Sequence, residues 1–357
     1  MRVVRPLGHD ATVERLLAAA RGGRLPHALL FEGRAGIGKF QAALWFAMGC
    51  LCAKGPGVPC GTCGPCRRVT SGGERANHAD LFVLDPLAEG EERIRIGRIA
   101  ERGGSGEGES AGASLENFLG LRPLEGAWRV VVVRESQRMN VAAQNALLKT
   151  LEEPRAGTLM VLETHRTSAL LPTIKSRCIR VRFEALTRAQ CEEVLVGAGL
   201  EAREAEELAR LAEGSPGLAL DMARNGTREF LAHLRALVAG ERAALDLATE
   251  LWEVEGEFRG KTDTALARER CRVVLELLQA LLRDAWRAGA GVPSESLALG
   301  ETALALADRV SEPELARRGR WLAMTRADVE HNLEPHALLE RALQVVVAGV
   351  PAGAPTP

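Results

Sequence analysis

An α/β core followed by all-helical regions is the fold this sequence predicts, on three observations. Between Leu25 and about Phe183, short apolar runs alternate with amphipathic stretches. A glycine-rich loop, Gly33-Arg34-Ala35-Gly36-Ile37-Gly38-Lys39, directly follows the first of these runs and opens a helical pattern. After Glu184 the strand signal disappears and only helical periodicity remains.

The runs Ala28–Phe31, Leu81–Leu84, Val130–Val133 and Leu159–Leu162 are short and partly β-branched. Buried parallel strands have this composition. Helical patterns lie between them, notably Lys39 to Cys52 and Asn140 to Glu152, the second halted at Pro154 because proline cannot continue a helix. Alternating strands and helices imply a parallel sheet covered on both faces. Residues 187–224 read as short helices interrupted at Gly214-Ser215-Pro216-Gly217. Longer helical patterns occupy 227–348, where Val274, Leu277, Leu278, Leu281 and Leu282 share one face of the stretch from Cys271 to Ala288, as in a bundle or collar. The expected organisation is a core over 1–184 with a cysteine-rich insert at 52–66, a small helical region over 185–226 and a larger one over 227–348. The Gly/Ser/Glu segment 102–114 and the Pro/Ala/Gly tail 349–357 are too poor in apolar residues to bury, and disorder is expected there.

Composition narrows the function. Of 357 residues, 46% are hydrophobic and the formal net charge is −1. That excludes global disorder and argues against a chain that grips nucleic acid alone, since such domains carry a basic excess. No apolar run approaches the ~20 residues of a membrane span, and the stretch from Met1 to Pro6 lacks the apolar segment of a secretory signal, so a cytoplasmic location is expected. Tyrosine is absent, and nearly all basic residues are arginine, which reads as the codon bias of a G+C-rich genome. Lys39 is therefore more informative than an average lysine.

The loop from Gly33 to Lys39 has the chemistry of a phosphate cradle. Glycines let backbone N–H groups wrap a polyphosphate, the helix N-terminus favours the anion and the lysine reaches the outer phosphates. Two features depart from an ATPase. Phe40 stands where a Ser or Thr hydroxyl would coordinate Mg²⁺, and the run Arg129–Val133 ends in Arg134-Glu135-Ser136, a cation where a metal-associated carboxylate is needed. Glu135 alone could polarise a water. A vestigial loop and retained ATP or ADP binding through Gly33, Gly36, Gly38 and Lys39 are both compatible with these residues.

Cys60, Cys63 and Cys66 follow shortly after Cys52. Cys-x₂-Cys turns let thiolates converge on one tetrahedral ion, and reduced thiols are the rule in a cytoplasmic chain. Structural Zn²⁺ held by Cys52, Cys60, Cys63 and Cys66 is expected, with Cys50 as the alternative fourth ligand. Cys178, Cys191 and Cys271 are expected to be packed.

Three further stretches are specific: Asn145-Ala146-Leu147-Leu148-Lys149-Thr150-Leu151-Glu152-Glu153-Pro154, Ser176-Arg177-Cys178, and Pro26-His27-Ala28 ahead of the loop. Taken in order with the cysteine insert, they resemble the bacterial sliding-clamp-loader subunits of the AAA+ class, over residues 7 to about 225 and more weakly beyond. The resemblance implies an AAA+ core, a helical lid at 185–226 and a collar at 227–348 within an open ring of subunits belonging to the DNA polymerase III holoenzyme. It casts Arg177 as an arginine finger acting in trans on a neighbour's ATP, a task suited to a rigid, always-charged fork. Thr164 takes the place of a γ-phosphate sensor, whereas Gly217 and Leu218 cannot replace the lid arginine of active relatives. The pattern is closer to delta prime, without intrinsic activity, than to the ATP-hydrolysing tau/gamma type. Implied partners are the tau/gamma and delta subunits and, through the complex, the sliding clamp and primed DNA. The segment 102–114 departs from the family pattern.

Overall fold

The computed structural model describes residues 3–71, 77–89, 91, 93–100, 114–258, 262–329 and 334–350. The polar segment expected over 102–114, apart from Ser114, and the tail beyond Val350 lie outside the described residues.

The chain divides into two compact units. Residues 1–194 with 214–217 form the first, and residues 195–213 with 218–357 the second. The first is built on a five-stranded sheet of β1 (Ala28–Glu32), β2 (Leu81–Leu84), β3 (Arg129–Val133), β4 (Thr158–Thr164) and β5 (Ile179–Arg182), in the order β2-β3-β4-β1-β5. All pairings are parallel, with Phe31 opposite Glu163 and Glu32 opposite both Thr164 and Arg182. The four predicted strands are present. β5 is additional, because Ile-Arg-Val-Arg on a sheet edge is largely exposed and lacks the apolar run of a strand buried on both faces.

Side-chain alternation along these strands feeds two cores. Leu29, Phe31, Val130, Val132, Leu159 and Val161 pack with the helices Asp10–Arg21 and Lys39–Cys50. Leu30, Val131, Val133, Met160 and Leu162 point to the opposite face and pack with Ala143, Leu147 and Leu151 of the helix Val141–Glu152. That helix is capped by Asn140, whose side chain accepts a 2.8 Å hydrogen bond from the Ala143 N–H, satisfying a donor that the first turn leaves unpaired. The motif Pro26-His27-Ala28 is anchored to the same helix by a 3.1 Å hydrogen bond between His27 Nε2 and the Leu151 carbonyl.

Among its described residues, the second unit is built of helices joined by turns and loops. Its longest helix, Asp263–Gly289, buries Val274, Leu277, Leu278, Leu281 and Leu282, the face that periodicity predicted. The helices Gly300–Ala307, Glu312–Asp328 and Pro335–Ala348 pack around it.

Candidate functional site

The loops leaving the carboxyl ends of β1, β3 and β4 converge, the usual place for a ligand in an open parallel sheet. Gly36 and Gly38 adopt left-handed backbone, with φ of 74° and 96°. Gly33 also has a positive φ, 153°, and is closed to a side chain besides: a Cβ there would lie 2.4 Å from the Phe183 carbonyl oxygen. Lys39 opens the helix, yet its side chain is only 2% exposed and points back into the protein. Its ammonium donates to the Arg34 carbonyl at 2.6 Å and pairs at 3.0 Å with Glu163 Oε1 near the end of β4. His9 Nε2 lies 2.7 Å from the Ile37 carbonyl. Burial holds the His9 pKa below its usual value, so the ring is neutral and Nε2 carries the donated proton. The Gly217 N–H donates to the Gly36 carbonyl at 2.8 Å, and Ser215 Oγ donates to the Ala35 carbonyl at 2.9 Å.

The two departures from an ATPase pattern meet in space. The Arg134 guanidinium sits 4.6 Å from the centroid of the Phe40 ring and pairs with Asp85 at 2.9 Å. Next to it, Glu135 has left-handed backbone with φ 52°, unusual for a residue with a side chain. Its N–H donates to Glu163 Oε2 at 3.0 Å. The Glu135 carboxylate accepts from Gln137 Nε2 at 2.5 Å and lies 3.3 Å from His165 Nδ1. Burial alone would raise the Glu135 pKa, but the His165 hydrogen bond and the charges of His165, Arg138 and Arg134 outweigh it and hold the group at about 2. Glu135 is therefore a tied carboxylate, not the exposed, solvated one its position after a strand suggests. Thr164 is fully buried and donates to Gln137 Oε1 at 2.6 Å.

Arg177 follows the short helix Pro172–Lys175 and is partly exposed. Its guanidinium pairs with Glu152 at 2.5 Å and donates to the Thr173 carbonyl at 3.0 Å. Residues from two of the specific stretches, the one ending at Pro154 and Ser176-Arg177-Cys178, are thus in direct contact.

Four thiols converge at the end of the helix Lys39–Cys50. The sulfurs of Cys52, Cys60, Cys63 and Cys66 all lie within 4.8 Å of one another, with Cys52 to Cys63 and Cys60 to Cys66 both 4.0 Å apart. Four sulfurs at ~2.3 Å from a tetrahedral Zn²⁺ would be roughly 3.8 Å apart, so the set has the dimensions of a metal site. Hydrogen bonds from the backbone of Thr62 and Cys63 and from the Thr62 hydroxyl pull the Cys60 thiol down to about 5, whereas burial pushes the Cys66 thiol up. Cys50 is outside the group, and burial pushes its thiol up to about 12. Cys178, Cys191 and Cys271 are buried.

Sequence reasoning located the loop, Arg134, Arg177 and the cysteines. It missed Glu163, Asp85, Gln137 and His165. Glu163 carries no signal within an apolar strand except its charge at a position opposite Phe31.

Comparisons with known proteins identify a family. The family described as DNA polymerase III, delta subunit, matches residues 8–187. The DNA polymerase III subunit delta' of Pseudomonas aeruginosa is 34% identical over 255 residues, spanning 67% of this chain and 70% of that protein. The DNA polymerase III subunit tau of Escherichia coli is 33% identical over 210 residues, which span 56% of this chain but 29% of the relative. Among solved structures, a gamma subunit-related protein of DNA polymerase III from Thermotoga maritima aligns over 95% of this chain and 98% of its own, with TM-score 0.53 and 17% identity, a likeness of fold. The family model spans half of the chain, and the Pseudomonas aeruginosa relative is more than 30% identical over two thirds of it and 70% of its own length: the chain belongs to the DNA polymerase III delta' family.

Proposed function

We propose that this chain is a clamp-loader subunit that does not hydrolyse ATP itself and lends Arg177 to the ATP site of a neighbouring tau/gamma-type subunit. In that role it assembles with tau/gamma and delta subunits, and the complex acts on the sliding clamp at primed DNA. Residues 185–226 would serve as lid and 227–348 as collar. The observation that carries the reading is the Arg134 guanidinium stacked on Phe40 and paired with Asp85. A fixed cation and an apolar ring occupy the two positions from which Mg²⁺ would be held. The hydrolysing alternative requires metal ligands there.

The cysteine cluster supports a structural Zn²⁺ held by Cys52, Cys60, Cys63 and Cys66. With all four coordination positions supplied by protein, the ion would brace the fold without binding a reactive water.

The test is reconstitution with partner subunits, clamp and primed DNA. The purified chain should show no Mg²⁺-dependent ATP turnover. In the complex, Arg177→Ala should lower stimulated turnover about tenfold or more at the site it serves while subunit assembly persists. Turnover by the isolated chain that Lys39→Ala abolishes, or unchanged turnover in the Arg177→Ala complex, would overturn the reading.

A further inference from the structure

We infer that Glu163 is an internal ligand of the phosphate loop: its carboxylate takes the place on Lys39 that a nucleotide phosphate would take, making the loop a closed structural element. The inference rests on the non-hydrolysing reading and deepens it.

Both oxygens of Glu163 are used. Oε1 pairs with Lys39 Nζ at 3.0 Å, and Oε2 accepts from the Glu135 N–H at 3.0 Å. The pair is dry, with side-chain exposures of 2% and 5%. Isolated in such surroundings, either charge would be costly to hold; paired and hydrogen-bonded, the two are tolerated. The ammonium spends a second hydrogen bond on the Arg34 carbonyl of its own loop. Carbonyls of that loop are also engaged from outside it, Ala35 by Ser215, Gly36 by Gly217 and Ile37 by His9. The left-handed backbone of Glu135 is part of the arrangement, because it is the Glu135 N–H that reaches Glu163. A phosphate approaching Lys39 would have to displace a carboxylate already in place and would meet its negative charge. This accounts for an intact lysine in a loop whose metal ligands are missing: Lys39 is retained to neutralise Glu163.

Removing that internal anion should expose latent affinity for a phosphate tail. Titration with a fluorescent ADP analogue, with and without Mg²⁺, should show Glu163→Gln binding at least tenfold tighter than the unmodified chain, with Lys39→Met added to Glu163→Gln abolishing the gain. Equal affinity in the unmodified chain and a folded Glu163→Gln variant would overturn the inference. Thermal melting provides the second measurement. Lys39→Met and Glu163→Met should each lower the melting temperature, and the double variant should recover part of the loss, since each single change strands a buried charge. Additive losses would overturn it, as would a double variant no better folded than an unfolded single. Failure here leaves the Arg177 result untouched, while ATP turnover by the unmodified chain would fail the functional reading itself.

Discussion

The guanidinium of Arg134 lies 4.6 Å from the centroid of the Phe40 ring. In the sequence these are two separate departures from an ATPase pattern, 94 positions apart by their numbering; in the fold they are one contact, completed by Asp85. A ring face attracts a cation through its quadrupole, so each substitution stabilises the other, and reversing one alone strands its partner. A double-mutant cycle of Phe40→Ala and Arg134→Ala should show a coupling of about 0.5–1 kcal/mol in denaturant melts. Strictly additive losses would mean that ring and cation act independently.

Gly33 is required by packing. Its absent side chain is filled by the Phe183 carbonyl at 2.4 Å and by Ile37 Cδ1 at 2.8 Å from the position of a Cβ. The carbonyl belongs to backbone and cannot swing away as a side-chain tip could. Gly33→Ala should destabilise the chain by about 2 kcal/mol or more, as overpacking in a dense core does. A urea melt within 0.5 kcal/mol of the unmodified chain, the ordinary range of surface changes, would refute this.

Much of the fold was legible because the central strands are buried on both faces and so are apolar throughout. β5 was not, for the opposite reason: an edge strand needs only one apolar face, and Arg180 and Arg182 both reach across to Glu32 at its side. The candidate site was legible where residue type and spacing point to chemistry, as in the cysteines and Lys39, while Arg177 stood out through the family resemblance of its motif. It was not where function depends on a partner distant in sequence. Nothing in the spacing of Lys39 and Glu163 forecasts an ion pair; the parallel β1–β4 pairing creates it by placing the end of β4 beside the strand that feeds the loop. Gly33 shows the converse, since the residue was found and its physical reason lay in Phe183.

The cysteine cluster is tied to the sheet. Arg68, two residues after Cys66, pairs with Glu125, and the Glu125 and Leu124 N–H groups donate to the buried carboxylate of Asp80 just before β2. Loss of a bound metal should therefore loosen the helix Gly64–Ser71 and the loop around Glu125 together. Protein purified without chelators is expected to contain one zinc per chain by elemental analysis. Stripping it, or Cys63→Ser, should lower the melting temperature by roughly 5–10 °C. A metal-free preparation with the same melting temperature would remove the metal from the structural account.

Glu135 gives a pH signature with a defined sign. Its folded pKa of about 2 lies below the ordinary 4.5, so the unfolded chain binds the proton more readily. The resulting stabilisation is fully present above pH 4.5 and lost as pH falls toward 2; at full size it is about 3 kcal/mol. Glu135→Gln should be less stable than the unmodified chain at pH 7, and the gap should narrow between pH 4.5 and 2. A gap independent of pH would show that the carboxylate charge is not what His165 and Arg138 recognise.

Glu152 holds Arg177 at 2.5 Å, and both side chains are partly open to solvent, so the pair adds little to stability. Exposed ion pairs contribute ~0–1 kcal/mol. Its value would lie in orientation: a long side chain kept in one place loses less freedom when it meets a phosphate. Glu152→Gln should therefore leave the melting temperature within about 2 °C. In the reconstituted complex it should lower the maximal clamp-stimulated ATP turnover severalfold, with little change in the ATP concentration that half-saturates it. Arg177→Lys should not substitute for the native residue, because an ammonium lacks the planar fork that Glu152 aligns. Full turnover in the Glu152→Gln complex would mean that Arg177 needs no positioning partner; equal losses in turnover and melting temperature would assign Glu152 to the fold.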